Sequence, residues 1–280
     1  MKKIGVVIVS YNTSDCLEKC LRSIEKYLTR WDCEVVVVDN KSSDGSARMV
    51  RTKFPKVKLV ASDRNNYFCR ANNLGWKRTK AEYVVFMNPD IELVDNSFDR
   101  IFSYMDKNQE VAAMEPAQYD GDGKILATGT RKRELVTDIL HLTGVGRFGG
   151  KKLLHKFLMM DKDRTKVWEA DVVSGACIVT RRHLLVKTGG FSQNIKMYFS
   201  EDALCERLSR YGKIIHFGSS RVKHYLSRST NKITGSKINS WFARDGYYLY
   251  KSRGKELAGA FLYCLIIGSY WLKVVMGRIN

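Results

Sequence analysis

Only three prolines punctuate the 280 residues, and no Ser/Gly/Pro-rich stretch divides the chain, which argues against a long disordered linker between two halves. The length suits one large domain, or one domain with an appendage. Acidic residues are scarce: 29 Asp and Glu stand against 48 Lys and Arg, for a formal net charge of +19. That excess points to an anionic partner (nucleic acid, an anionic membrane surface or a phosphate-bearing substrate), with solubility as the plain alternative. The seven cysteines include no Cys-x-x-Cys pair and their number is odd, so neither a zinc site nor a disulfide framework is suggested. Small, mostly buried thiols in a reducing compartment are expected instead, and with them a cytoplasmic placement. A secretory leader is not expected either. The apolar run Ile4–Val9 after Met1-Lys2-Lys3 is short and ends in Ser10-Tyr11-Asn12 without a small-residue cleavage site.

What is present is a regular alternation. Ile4–Val9, Glu34–Val38, Val57–Val60 and Tyr83–Met87 are short β-branched or apolar runs that suit strands covered on both faces. Between them, Asn12-Thr13-Ser14-Asp15 offers helix-capping chemistry ahead of Leu17, Cys20, Leu21 and Ile24 at helical spacing, and Lys41–Gly45 feeds a helix near Ala47–Val50. Such spacing predicts βαβ units and a parallel sheet. The stretch from about Gly121 to Lys166 is weakly patterned and is expected to form mobile loops with short helices. Strand character resumes at Asp171–Val173 and Ala176–Val179, followed by a helix over Glu201–Arg210 and a strand over Lys213–Phe217.

Ligands of open α/β sheets gather at the carboxyl ends of the strands, and polar residues repeatedly fall there. Asp39 directly follows Val35–Val38, where a carboxylate can accept the imide N–H of uracil or thymine or can cap the following loop. Asn88-Pro89-Asp90 ends the fourth strand. Pro89 cannot continue a ladder, so the chain turns and Asp90 becomes either a turn residue or a ligand for a divalent cation on a diphosphate. Ser200-Glu201-Asp202 opens a helix, where acids complement the dipole or supply a general base. Arg70-Ala71-Asn72-Asn73-Leu74-Gly75 suits close backbone packing at a helix start beside a phosphate or sugar. His224, with basic Arg221 and Lys223 just before it, is a surface residue, a metal ligand or a phosphate donor.

In their order and spacing these pieces resemble the family 2 inverting glycosyltransferases, and among them the rhamnosyltransferase-like bacterial members. The resemblance runs from Ile4 to about Gly254. It rests on Val9-Ser10-Tyr11-Asn12, Val38-Asp39-Asn40 with Ser42 and Asp44, Ala71–Gly75, Met87-Asn88-Pro89-Asp90, Ser174-Gly175-Ala176, Gly189-Gly190-Phe191, Glu201-Asp202, and His224 with Ser229. It implies an α/β, GT-A (Rossmann-like) mixed sheet with helices on both faces over residues 1–235, and a C-terminal helical extension over 236–280. It further implies a nucleoside-diphosphate sugar donor, dTDP- or UDP-linked with dTDP-rhamnose favoured, a Mg²⁺ or Mn²⁺ cofactor, and a hydroxyl of a cell-surface glycan or polyprenyl-diphosphate-linked acceptor. Carried over residue by residue, Ser10, Tyr11, Asn12, Asp39, Asp44, Arg70, Asn73 and Asn88 would hold the donor. Asp90 and His224 would hold the metal, and Asp202, with Glu201 beside it, would be the catalytic base. Two departures stand out. Asn88 replaces the first acid of a DxD motif, and the helix motif is one residue shorter than the family's, so alignment on Cys205 and Arg207 would place Glu201 at the base position instead.

From Leu257 to Leu272 the chain carries no charge, with cations on both sides, among them Lys273 and Arg278. The run is short for a spanning helix and suits one lying in an anionic membrane interface at the inner face of the cell membrane, or one packed on the domain or a dimer partner. Three rival functions remain. A basic nucleic-acid-binding protein is disfavoured because the basic and aromatic residues form no RNA-binding motif. A catalytically silent homologue conflicts with the retained Asp39, Asp90 and Asp202. A nucleotidyltransferase would carry a Gly-rich phosphate loop near the first strand, and none occurs.

Overall fold

The computed structural model describes residues 3–143, 150–226 and 235–275. Its first half follows the alternation read from the sequence: β1 (Lys3–Ser10), α1 (Ser14–Tyr27), β2 (Asp32–Asp39), α2 (Ser46–Lys53), β3 (Lys58–Ala61), α3 (Tyr67–Trp76) and β4 (Tyr83–Met87). β1 pairs in parallel with both β2 and β4, and β2 with β3. The second half makes the sheet mixed, as the resemblance implied. β5 (Ile91–Leu93), α4 (Phe98–Lys107), β6 (Val111–Tyr119), α5 (Leu135–Thr143), α6 (Lys151–Phe157), β7 (Val167–Ala170), β8 (Cys177–Arg181), α7 (Arg182–Thr188), α8 (Ser200–Leu208) and β9 (Lys213–His224) follow. β8 lies antiparallel to β4, and β9 antiparallel to β5 and β7 but parallel to β6. The described residues thus form one mixed nine-stranded sheet, in the order β3-β2-β1-β4-β8-β6-β9-β5 with β7 on β9.

Alternation along the strands builds a core on each face. Val6 and Ile8 of β1 face Leu17, Leu21 and Ile24 of α1 with Phe98 and Phe102 of α4. Val7 faces the other way, among Trp76 of α3 and Leu204 and Leu208 of α8. Each such side chain fully buried contributes roughly 1.5–3 kcal/mol, so both faces hold the strand ends in fixed register.

Several local expectations change. The run Asp171–Val173 is not a strand: β7 ends at Ala170, and Val172 only bridges Thr130. β9 runs on to His224 rather than ending at Phe217, because its far half finds partners in β5 and β6. Thr13 occupies the N-cap of α1 without a side-chain cap bond, and Asp44 supplies the acceptor for Ser14 N–H from another loop. Gly75 lies near the end of α3 rather than at its start. Its missing side chain lets the helix press on β1, where a Cβ would collide with Val7. The stretch from Gly121 to Lys166 contains α5 and α6, two short helices; its residues 144–149 lie outside the described set, as does Ser229.

The C-terminal region forms α9 (Gly235–Ser252) and α10 (Glu256–Val275), joined at Gly254 in the left-handed conformation (φ 72°). Their close approach needs Gly259, whose Cβ would come within 2.9 Å of Tyr247 O. Leu262 and Ile266 of α10 are buried with Ala243 and Tyr250 of α9. On the opposite side Leu257, Phe261, Cys264, Gly268 and Trp271 stay exposed, spaced alternately four and three residues apart along one face. No helix among the described residues is long and apolar enough to cross a membrane.

Candidate active site

Strand register collects the first group of residues. Ser10 pairs with Asp39, and Asp39 with Ala61, so the carboxyl ends of β1, β2 and β3 lie level. Asn40 N–H donates to Ser10 O (2.8 Å) and Ser62 N–H to Asp39 O (2.9 Å), which closes that edge. The two loops beyond it are interlocked. Asn12, left-handed at φ 54°, donates its N–H to Ser42 Oγ (3.0 Å) and accepts Ser43 N–H (2.8 Å) on its side chain. Asn tolerates that backbone region better than most residues. Ser10 is buried and its hydroxyl meets Thr13 Oγ1 at 3.0 Å, whereas Tyr11 stands exposed above it.

Asp39 is only 3% exposed, and both sequence readings of it have a counterpart. Oδ2 accepts Ser42 N–H (3.0 Å) as a loop cap, while Oδ1 is buried without a hydrogen-bond partner. A buried carboxylate oxygen left unmatched costs on the order of 1–3 kcal/mol or more, so it marks a place where a ligand donor fits. Asp44, in contrast, has both oxygens engaged: Oδ2 by Ser14 N–H (2.8 Å) and Oδ1 by the N–H (3.0 Å) and hydroxyl (2.6 Å) of Ser46. It ties the starts of α1 and α2 together.

Asn73 and Arg70, two other residues expected at the donor, reach across to the loop after α7. Asn73 is buried in α3, accepting Phe191 N–H (2.9 Å) and Trp76 Nε1–H (2.9 Å) and donating to Phe191 O (2.8 Å). Gly190 makes this clamp possible, since a Cβ there would overlap Asn73 Oδ1 and Trp76. Arg70 is exposed, and its Nε donates to Gln193 O (3.3 Å).

The second group forms around the turn after β4. Asn88 N–H donates to Ala176 O (2.8 Å), fixing the turn to the loop before β8. Asp90 is 7% exposed and His224 8%, although they stand 134 residues apart in sequence. Antiparallel pairing of β5 with β9 sets Ile91 opposite His224, and His224 Nε2 lies 3.5 Å from Asp90 Oδ1. On its other nitrogen, His224 Nδ1 meets Gln118 Oε1 of β6 at 3.0 Å. With Nδ1–H donating to Gln118, Nε2 presents its lone pair beside the Asp90 carboxylate. A hard oxygen and an imidazole nitrogen, oriented by a second hydrogen bond, are a donor set that Mn²⁺ or Mg²⁺ accepts, with the remaining positions left to phosphate and water. A cavity of about 120 Å³ beside Asp90 is lined also by Asp15, Cys16, Lys19, Glu92 and Tyr225. A larger one, about 1030 Å³, runs along Ala203, Glu206 and Arg207 of α8, Arg210 just past it and Lys213 of β9, and contains none of the site residues selected from the sequence.

The third group sits at the start of α8. Phe199 precedes the helix in a left-handed turn (φ 58°), and Asp245 of α9 holds that turn by accepting the N–H groups of Lys196 (3.0 Å), Met197 (2.9 Å) and Tyr198 (3.1 Å). Glu201 is partly exposed, accepts the Ser200 hydroxyl (2.8 Å) and rests on Gly175, where a Cβ would come within 3.3 Å of Oε2. The Gly175 loop is itself anchored by buried Glu115, which accepts Ser174 N–H (2.7 Å) and meets His216 Nδ1 (2.8 Å). Asp202 is 2% exposed. Burial pushes its carboxyl up to about 7, opposed by Arg133 and Arg253 and assisted by the charges of Glu201 and Asp138. Its Oδ1 lies 3.2 Å from Arg133 Nε outside hydrogen-bond geometry, and neither atom has a hydrogen-bond partner. A carboxylate tuned near neutral pH with a free lone pair is the form a general base requires.

The family model described as glycosyl transferase family 2 matches residues 5–189. The chain is a family 2 glycosyltransferase. Among curated relatives, the glycosyltransferase is 24% identical over 247 residues to the N-acetylglucosaminyl-diphospho-decaprenol L-rhamnosyltransferase of Mycobacterium tuberculosis, covering 84% of this chain and 80% of the relative. It is 22% identical over 200 residues to the poly(ribitol-phosphate) β-N-acetylglucosaminyltransferase TarP of Staphylococcus aureus, covering 67% and 61%. Of solved structures, GalNAc-T7 with UDP, GalNAc and Mn²⁺ superposes with TM-score 0.64 at 15% identity, over 92% of this chain and 51% of that one. The Pyrobaculum calidifontis mannosyltransferase with GDP-Man and Mn²⁺ gives 0.59 at 14% identity, over 97% and 75%. The glycosyltransferase therefore has the GT-A fold implied by its motifs.

Sequence reasoning missed the residues that hold this site together. Gln118, Glu115, Arg133, Asp138, Asp245 and Tyr250 touch site residues from 47 to more than 100 positions away in sequence, or through a chain of such contacts. None belongs to a local motif. Arg133 and Asp138 fell in the weakly patterned stretch, where the only signal was a pair of charges beside an apolar helix.

Proposed function

We propose that this glycosyltransferase inverts the anomeric centre as it moves a sugar, rhamnose by preference, from a dTDP- or UDP-linked donor to a hydroxyl of a cell-envelope glycan or a polyprenyl-diphosphate-linked acceptor. The observation that carries the reading is the unmatched Oδ1 of Asp39, buried at the level strand edge beside Ser10 and Tyr11. It suits the imide N–H that uracil and thymine both present at one edge. The rhamnosyl preference and the lipid-linked acceptor draw support from the name of the mycobacterial relative, and a glycan acceptor from that of TarP.

In this mechanism Ser10, Tyr11 and Asn12 line the nucleoside side with Asp39, and Asn88 flanks the diphosphate. Asp90 and His224 would hold Mg²⁺ or Mn²⁺, which supplies positive charge beside the departing diphosphate. The Asp202 carboxylate takes the proton from the acceptor hydroxyl. The freed oxygen attacks the anomeric carbon from the face opposite the diphosphate, the bond from carbon to diphosphate oxygen breaks with its electron pair, and the configuration inverts. Glu201, resting on Gly175, borders the same space. Asp202 is favoured over Glu201 as the base because its raised proton affinity leaves it half-ionised near neutral pH.

Residues 1–235 carry the donor and transfer groups, and residues 236–280 form the extension. The exposed face of α10, with Leu257 88% and Trp271 60% exposed and Lys255 just ahead of it, suits an anionic bilayer surface on the cytoplasmic side. No feature favours specific nucleic-acid recognition. A screen of dTDP-, UDP- and GDP-sugars for donor hydrolysis and transfer, with Mg²⁺ or Mn²⁺, tests the assignment. Pyrimidine-linked donors should be consumed, and preference for GDP-sugars would overturn the role given to Asp39.

A further inference from the structure

The Asp202 carboxylate is reached by a relay of buried groups that begins in the C-terminal helices. Tyr250 of α9 donates its hydroxyl to Asp138 Oδ2 of α5 at 2.8 Å. Asp138, fully buried, accepts Arg133 NH1–H on Oδ1 at 2.8 Å. The Arg133 guanidinium lies between two rings, its centre 4.9 Å from that of Phe199 and 5.4 Å from that of Phe157. Its backbone is held as well: Arg253, just past α9, donates to Arg133 O at 2.9 Å while its head pairs with Glu206 of α8. The hydrogen bonds that fix Arg133 among the described residues therefore come from Asp138 and Arg253, outside α8.

The two carboxylates that share this cation are treated differently. Asp138 receives a directed hydrogen bond, whereas Asp202 receives the field of the guanidinium at 3.2 Å with no hydrogen bond formed. Arg133 thus favours the ionised form of Asp202 without consuming the lone pair that must accept a proton. Were Asp138 absent, the fork would be free to turn and form the bidentate pair that Arg and carboxylate prefer. We propose that Arg133, fixed by Asp138 and Tyr250, is the positioning residue that favours the ionised form of Asp202 while leaving its oxygen unbonded, so that the C-terminal helix α9 belongs to the working site.

This inference rests on Asp202 being the base. The charged and titratable groups facing Asp202 are Arg133, Glu201, Asp138 and Arg253, with Cys205 one turn along α8. Those facing Arg133 are Asp202, Asp138, Glu201 and, from α5, His141. Arg133 and Arg253 favour the Asp202 anion; Glu201 and Asp138 oppose it. Removing Arg133 and removing Asp138 should accordingly move the base in opposite directions, which loss of packing alone cannot do.

The test is the pH profile of kcat/KM for the full-length enzyme and its Arg133→Gln, Arg133→Lys and Asp138→Asn variants. In Arg133→Gln the acidic limb should move up by about one pH unit or more, a loss of about fivefold at pH 7 and about tenfold on the limb below it, recovered at about pH 9 and above. Arg133→Lys should restore most of the limb. Asp138→Asn should move it down while lowering the plateau, because the freed guanidinium then competes for the proton-accepting oxygen. Should Arg133→Gln fail to fold, the downward shift in Asp138→Asn and the retained limb in Arg133→Lys decide the matter. Limbs that stay in place, or that move the same way in Arg133→Gln and Asp138→Asn, overturn the proposal. Wild-type-like turnover by Asp202→Asn would instead overturn the base assignment on which it stands.

Discussion

Replacing Asp202 by Asn should stabilise this protein and silence it, and the size of the gain is set by pH. Asn has the shape of the protonated carboxyl, so it removes only the ionisation of a group that burial makes reluctant to ionise. In the unfolded chain the carboxyl loses its proton near 3.8, and in the folded one at about 7. Below about pH 4 both states keep the proton, and the two proteins should differ little. As pH rises the unfolded state ionises first, so the wild type loses stability relative to Asp202→Asn by about 1.4 kcal/mol per pH unit. The loss continues until the folded carboxyl has ionised near pH 7, about three units in all, for a ceiling on the order of 4 kcal/mol. For a domain of this size each kcal/mol moves Tm by roughly 2–4 °C, so the variant should melt several degrees above the wild type at pH 8. The measurement is thermal or urea unfolding of both proteins from pH 5 to 8.5, beside donor binding and turnover. Transfer should be lost while donor affinity is kept. A constant stability gap across that range would show that the fold does not raise the proton affinity of Asp202, and the tuning argument would fail with it.

Asp39→Asn should raise the KM for a pyrimidine-linked donor roughly 10- to 100-fold, the worth of one charge-assisted hydrogen bond, with little change in Tm; an unchanged KM would place the base elsewhere. Asp90→Ala and His224→Ala should each weaken metal dependence by about 10-fold or more, read as the Mn²⁺ concentration giving half-maximal transfer, and chelation should abolish turnover in the parent enzyme. Full activity in chelator would remove the metal role from both residues. Phe261→Ser with Trp271→Ser should leave the melt within about 0.5 kcal/mol, since both are exposed. The same pair should reduce flotation with anionic vesicles, and equal recovery of parent and variant on vesicles would count against the bilayer as the partner of α10.

The first half of the fold was legible because each βαβ unit carries its own information. An apolar β-branched run, a polar strand end and a helix at 3.6-residue spacing specify β1 to β4 locally, and parallel register then brings Ser10 level with Asp39 without further instruction. The second half was less legible. Asp171–Val173 has the composition of a strand but no partner beyond one bridge at Thr130, and β9 continues past Phe217 because β5 and β6 lie beside it. Strand pairing is decided by neighbours, and neighbours are not written in the strand.

The same division runs through the site. The sequence by itself determined which groups are available: carboxylates at Asp39, Asp90 and Asp202, a histidine at 224, and a motif order that belongs to one family. Only the tertiary structure decided what those groups can do. It engaged both oxygens of Asp44 and one of Asp39, tied Asn73 to Phe191, set His224 within 3.5 Å of Asp90, and placed Arg133 against Asp202. The physical reason is that proton affinity and hydrogen-bond availability are properties of surroundings. A carboxylate's burial and its partners come from distant parts of the chain, so a local motif can name the acid but not tune it.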